Sequence, residues 1–128
     1  MSLPLFKILV VDDDTDLLFL GSSLLQHKGF DVCSLANAED VFEVVRAFKP
    51  DLILLDIKLG NYDGRHICSQ LKNNSETKDI KIILYSAFPE TQYDYQEYGA
   101  NDFLLKPYEI DHLVERINNL LNREFVYE

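Results

Sequence analysis

Five short apolar runs punctuate the chain, and each is followed by a longer stretch of helical or polar character. The runs are Ile8 to Val11, the alternating "FDVCSLA", Leu52 to Leu55, Ile80 to Tyr85 and "DFLLKP". Runs of this length, rich in β-branched residues, predict strands rather than helices. Strict alternation of strand and helix predicts a parallel sheet with helices on both faces, because parallel neighbours need a crossover connection. The first, third and fourth runs are continuously apolar and read as central strands. The second alternates, as an edge strand with one wet face does. The expected class is therefore α/β: a doubly wound five-stranded parallel sheet of order 2-1-3-4-5.

The connecting segments carry helix signals. "DTDLLFLGSSLLQHKG" has Asp14 as an N-cap and Gly29 as a stop. Asn37 reads as the N-cap of "AEDVFEVVRAFK", which Pro50 ends. "YDGRHICSQLKNN" reads as a short third helix, and "PETQYDYQEYGA" as a polar, tyrosine-rich fourth helix ended by Gly99. The last helix, "YEIDHLVERINNLLNRE", puts Ile110, Leu113, Val114, Ile117, Leu120 and Leu121 on one side.

A length of 128 residues fits one domain spanning 1–128, with its core over about 5–123. A net charge of -10 argues against sequence-independent contact with nucleic acid or an anionic membrane, and suits a protein that holds cations. Cys33 and Cys68 form no CxxC and no disulfide framework, as expected of reduced thiols in a cytoplasmic protein. His27, His66 and His112 lack metal-ligand spacing and read as surface or half-buried residues. There is no apolar run of membrane-spanning length and no signal-peptide core.

In a doubly wound sheet, ligands sit beyond the carboxyl ends of the strands, at the switch point between strands 1 and 3. Strand 1 ends in Asp12, Asp13 and Asp14, strand 3 in Asp56, strand 4 in Ser86, and strand 5 in Lys106-Pro107. The topology makes these residues neighbours. Two carboxylates about 4 Å apart repel by roughly 4 kcal/mol at an effective dielectric near 20. Three in one pocket require a cation or a raised pKa. An all-oxygen set suits a hard cation such as Mg²⁺. A cation, a lysine and a hydroxyl together are built to receive a phosphoryl group, with the remaining carboxylate as nucleophile. Taken singly, Asp14 is an N-cap, Ser86 a loop hydroxyl and Lys106 a surface lysine; their coincidence at one edge carries the reading.

Four motifs in order, "ILVVDDD", "DLILLDIKLGNYDG", "IILYSA" and "DFLLKPY", resemble the receiver domain of two-component response regulators, over about residues 5 to 123. The spacings agree: 43 residues from Asp13 to Asp56, 30 to Ser86 and 20 to Lys106. The resemblance implies a flavodoxin-like receiver fold with Asp56 as phosphoacceptor. It implies Mg²⁺ (or Mn²⁺) held by Asp13 directly, by Asp12, by Asp56 and by the backbone carbonyl of Lys58. Ser86 matches the hydroxyl that bonds the phosphoryl group, Ala87 the small residue that leaves it accessible, and Lys106 the lysine that bridges acceptor and phosphoryl. Ser86 and Phe103 match the switch pair. Gly64 matches the glycine that closes the acceptor loop, and the Lys106–Pro107 bond is cis in this family. The implied donor is a histidine kinase or phosphotransfer protein; the output partner or effector domain is unknown, and homodimerisation is open.

The chain departs from the family in four places. Gly60 replaces a common proline, which predicts a more mobile loop. Lys58 adds a cation beside the site, either modulating dephosphorylation or pointing to solvent. Phe88 is bulky and stands where attacking water would pass. The stretch from Ser86 to Gly99 is short, so the fourth helix is truncated or reoriented. Tyr93, Tyr95 and Tyr98 form either a partner patch or partial packing. Competing functions fit less well. A haloacid-dehalogenase-type phosphatase wants Thr or Val where Asp16 stands, and a flavin mononucleotide binder would not place "DDDTD" at a phosphate. A degenerate receiver used only for docking has no need of Asp56, Ser86 and Lys106 together. Both a stand-alone regulator and a piece of a larger protein remain open.

Overall fold

The computed structural model describes residues 5–122. The opening "MSLP" and the expected continuation of the last helix over Arg123 and Glu124 lie outside the described residues. The order is β1 (Lys7–Val11), α1 (Thr15–His27), β2 (Asp31–Leu35), α2 (Val41–Phe48), β3 (Leu52–Asp56), a small hairpin of β4 (Lys58–Leu59) and β5 (Tyr62–Asp63), α3 (Gly64–Lys72), β6 (Lys81–Ser86), two 3₁₀ turns (Pro89–Tyr93 and Tyr95–Tyr98), β7 (Asp102–Leu105) and α4 (Ile110–Leu120).

The five main strands form a parallel sheet in the order β2-β1-β3-β6-β7. This is the 2-1-3-4-5 order, with the switch point between β1 and β3. The strands at the middle are buried throughout, as continuous apolar runs require: Leu52, Ile53, Leu54 and Leu55 have no exposed surface. Alternate residues feed two cores. Leu9, Ile53, Leu55, Ile82 and Leu84 face Val41, Val45, Ile67 and Leu71 of α2 and α3. Ile8, Val10, Leu54 and Ile83 face Leu18, Leu25, Leu113 and Ile117 of α1 and α4. The register pairs Val11 with Leu55, and Asp56 with Tyr85, so the carboxyl ends of β1, β3 and β6 finish level with one another.

Three local expectations change. The "PETQYDYQEYGA" segment is two 3₁₀ turns broken at Asp94, not an α-helix. Neither turn buries a residue, so the segment lacks the apolar face that stabilises a helix in a protein. Gly99 does end it, in the left-handed region at φ +85. Asn37 does not cap α2. Its Oδ1 accepts the Asp40 amide at 2.9 Å, closing a turn that precedes the helix, and α2 starts only at Val41. Asp14 does cap α1, accepting from the Asp16 and Leu17 amides.

The loop at Gly60 is the turn of the β4–β5 hairpin, and its amide donates to Asp13 Oδ2 at 2.9 Å. Gly60 sits at φ +58. Proline can neither adopt that φ nor donate an N–H, so its absence here follows from the backbone. The loop expected to be freer is thus tied to the acidic end of β1.

Candidate functional site

The peptide after β1 turns at Asp12, whose amide continues the sheet by donating to the Leu35 carbonyl. Asp12 is 1% exposed, while Asp13 stands in solvent. A buried carboxylate must be satisfied, and Asp12 is. Its Oδ1 accepts the Asp14 amide at 2.9 Å; its Oδ2 accepts the Tyr85 hydroxyl at 2.6 Å and Lys106 Nζ at 3.2 Å. Asp56, at the end of β3, is 5% exposed. Its Oδ2 accepts Lys106 Nζ at 3.1 Å and its Oδ1 the Lys58 amide at 3.3 Å. Lys106 therefore bridges the carboxylates of two different strands, with its ammonium 4.5 Å from the centre of the Tyr85 ring.

Asp12, Asp13 and Asp56 each bring a carboxylate oxygen within 4.8 Å of the others. With all three ionised, and Lys106 the ammonium that pairs with two of them, the cluster carries about two negative charges in excess. Hard oxygen donors with that deficit fit a small divalent cation. Burial pushes the Asp56 carboxyl up to about 6; Lys106 opposes the shift and Asp12 adds to it. Burial, then the bond to Asp12, pushes the Tyr85 phenol far above its ordinary range, so it stays a hydrogen-bond donor.

Ser86 is buried at the end of β6, and its Oγ accepts the Phe88 amide at 2.9 Å. Ala87 beside it is exposed, as is Phe88. Phe103 of β7 is turned inward, 9% exposed, with the Tyr95 ring stacked on it at 6.2 Å. Lys58 is exposed, with its amide on Asp56. The Lys106–Pro107 peptide is cis. Gly64 opens α3 directly under the end of β3: its amide donates to Ile57 O at 2.7 Å, and a Cβ on it would meet Asp56 O at 2.1 Å. Among the tyrosines, Tyr95 packs on Phe103 and Tyr98 on His66, whereas Tyr93 is 82% exposed.

Two contributors were not anticipated. Tyr85 read only as the last apolar residue of its strand. The available signal was parity: one residue before Ser86, it faces the opposite side of the sheet, and it alone in "IILY" carries a polar tip. Arg65 also escaped notice. It grips Asp63 with Nε and Nη2 at 2.8–3.2 Å, reaches Asp94 with Nη1 at 3.1 Å, and lies 5.2 Å over the Tyr98 ring. It thereby fastens the 3₁₀ segment to the residue that caps α3.

Comparisons with known proteins identify the family and the fold. A family model described as the response regulator receiver domain matches residues 8–118. The sensory transduction protein BceR of Halalkalibacterium halodurans is 34% identical over 125 residues, covering 96% of this chain and 53% of the relative. The response regulator ArlR of Staphylococcus saprophyticus is 36% identical over 121 residues, covering 92% and 53%. The crystal structure of a putative response regulator from Chloroflexus aurantiacus superposes with a TM-score of 0.88 at 29% identity, covering 94% of this chain and 100% of that one. The chain spans about half the length of the curated relatives it matches.

Proposed function

This chain belongs to the family of response regulator receiver domains, and we propose that Asp56 is the residue at which it is phosphorylated. The observation that carries the proposal is Lys106 Nζ held between Asp56 and Asp12, at 3.1 and 3.2 Å, beside the carboxylate of Asp13. A receiver is a phosphoacceptor signalling switch, and a single unit over residues 1–128 is the simplest organisation consistent with the matched span.

Asp12, Asp13 and Asp56, with the Lys58 carbonyl, would hold Mg²⁺ or Mn²⁺, whose charge offsets that of an incoming phosphoryl group. Above about pH 6 the Asp56 carboxylate is mostly ionised and nucleophilic. One of its oxygens attacks the phosphorus of a phosphohistidine on a histidine kinase or phosphotransfer protein. The new O–P bond forms as the P–N bond breaks, and the imidazole leaves with the electron pair. Lys106, already at Asp56 Oδ2, neutralises charge on the transferring group. Ser86 Oγ leaves the Phe88 amide for a phosphoryl oxygen, and exposed Ala87 leaves the approach open. Phe103 and its stacked neighbour Tyr95 sense that displacement, which biases a two-state element read by a partner or an output domain. Hydrolysis of the acyl phosphate resets the site.

Incubation with Mg²⁺ and acetyl phosphate, followed by intact-mass measurement, tests the assignment. One phosphoryl adduct is expected on the wild type and none on Asp56→Asn. An adduct of equal yield on the variant would place the acceptor elsewhere.

A further inference from the structure

Asp12 Oδ2 serves two donors at unequal distances. The Tyr85 hydroxyl lies at 2.6 Å and Lys106 Nζ at 3.2 Å, while the same ammonium lies 3.1 Å from Asp56 Oδ2. The phenol, not the ammonium, therefore holds the tighter share of this buried carboxylate. We propose that Tyr85 is a positioning residue that occupies Asp12 Oδ2 and so leaves Lys106 to Asp56, at the expense of the cluster's affinity for a cation. The proposal rests on the phosphoacceptor role of Asp56.

The carboxylate's orientation does not depend on Tyr85, because Asp12 Oδ1 is anchored separately by the Asp14 amide at 2.9 Å. What the hydroxyl supplies is partial neutralisation. A charge-assisted hydrogen bond to a buried carboxylate is among the stronger interactions a neutral side chain makes. Without it, Asp12 presents more unbalanced negative charge. Both nearby cations respond to that excess: a divalent ion binds the acidic cluster more tightly, and because three carboxylates outweigh one divalent ion, Lys106 is still drawn off Asp56 towards Asp12 when the ion is bound. The Tyr85 ring beneath Nζ at 4.5 Å, braced edge-on by Tyr108 at 6.2 Å, limits how far the ammonium can move, and Tyr85→Phe keeps that ring. The hydroxyl and the ring are thus separable by substitution.

The consequence is a split of opposite sign. In Tyr85→Phe, Mg²⁺ binding tightens by about tenfold, while affinity for beryllofluoride at saturating Mg²⁺ weakens by about tenfold, because the phosphoryl mimic on Asp56 has lost part of its lysine. A merely structural tyrosine would weaken both or neither. In Tyr85→Leu, which also removes the ring, beryllofluoride affinity falls further. In an Asp12→Asn background, Tyr85→Phe changes beryllofluoride affinity less than twofold.

Calorimetric titration with Mg²⁺, and ¹⁹F NMR of bound beryllofluoride, test this on wild type, both Tyr85 variants and the Asp12→Asn pair, with thermal unfolding as the folding check. Opposite shifts in Tyr85→Phe support the proposal; shifts of the same sign, or none, overturn it. Wild type that takes no beryllofluoride on Asp56 would overturn the phosphoacceptor reading itself and this proposal with it.

Discussion

The α-carbon of Gly64 abuts the backbone carbonyl of Asp56 so closely that a Cβ there would stand 2.1 Å from the oxygen. The neighbouring Gly64 amide bonds Ile57 O at 2.7 Å, so the start of α3 and the end of β3 are pulled together at Asp56. The obstacle is backbone rather than a flexible side chain, and it cannot move aside cheaply. Gly64→Ala is expected to cost roughly 2 to 4 kcal/mol in urea unfolding and to lower the yield of Asp56 modification, since the strand end must shift. A variant within about 0.5 kcal/mol of wild type would mean that the two segments are not locked.

Asp56 makes the metal-free protein sensitive to pH. Its carboxyl is raised from 3.8 to about 6 by burial, so the folded state binds a proton that the unfolded chain releases. A raised folded pKa contributes stability that is complete below about 3.8 and is lost as pH rises through about 6. Burial of that carboxylate costs at most roughly 3 kcal/mol, and solvent screening reduces it. In chelator, wild type should therefore lose stability between about pH 4 and pH 6.5 relative to Asp56→Asn, and the variant should be the more stable at pH 7.5. Parallel urea midpoints for the two proteins across that range would contradict this.

Addition of Mg²⁺ should reverse that loss by balancing the carboxylates. At a free concentration of ten times Kd, the gain is about 1.4 kcal/mol, or about 4 to 7 °C in Tm for a chain of this size. Asp13→Asn removes the exposed carboxylate of the cluster while leaving Asp12 satisfied by Tyr85, Lys106 and the Asp14 amide. It should unfold near wild type in chelator, yet require a several-fold higher Mg²⁺ concentration for the same stabilisation. A calorimetric scan across Mg²⁺ concentrations checks both halves.

Arg65 offers a test of the 3₁₀ segment. Its guanidinium joins Asp63 and Asp94 and covers the Tyr98 ring, and its bond to Asp63 raises its own pKa still further. The same pair holds the Asp63 carboxyl below the usual carboxylate range. Arg65→Met keeps much of the apolar stem but frees Asp94 from its ion pair. Amide hydrogen exchange over residues 89–98 should then accelerate several-fold, while global stability falls by only about 1 kcal/mol, as these groups are part-exposed. Arg65→Lys should not restore protection, because an ammonium cannot make the forked contact.

Much of this protein is visible in local pattern alone. Strand and helix alternate in the hydrophobicity of the chain, and continuous against alternating apolar runs separate the inner strands from the β2 edge. Those two facts fit the sheet order that the structure has, and that order brings Asp12, Asp13, Asp56, Ser86 and Lys106 to one edge. Each inference rests on short-range periodicity and on the handedness of crossovers, which are properties of the chain itself. Contacts across the sheet are different, because they depend on which side chains meet after the strands have been aligned. The hydroxyl of Tyr85 on Asp12, the close approach of Gly64 to Asp56 and the reach of Arg65 to Asp94 join residues 73, 8 and 29 positions apart. The broken 3₁₀ path around Asp94 belongs with them: the local signals there also fit a helix, and the absence of a buried apolar face decided against one. The central strand β3 could be read from "LILLD"; how its terminal carboxylate is oriented and charged was settled by partners on other strands.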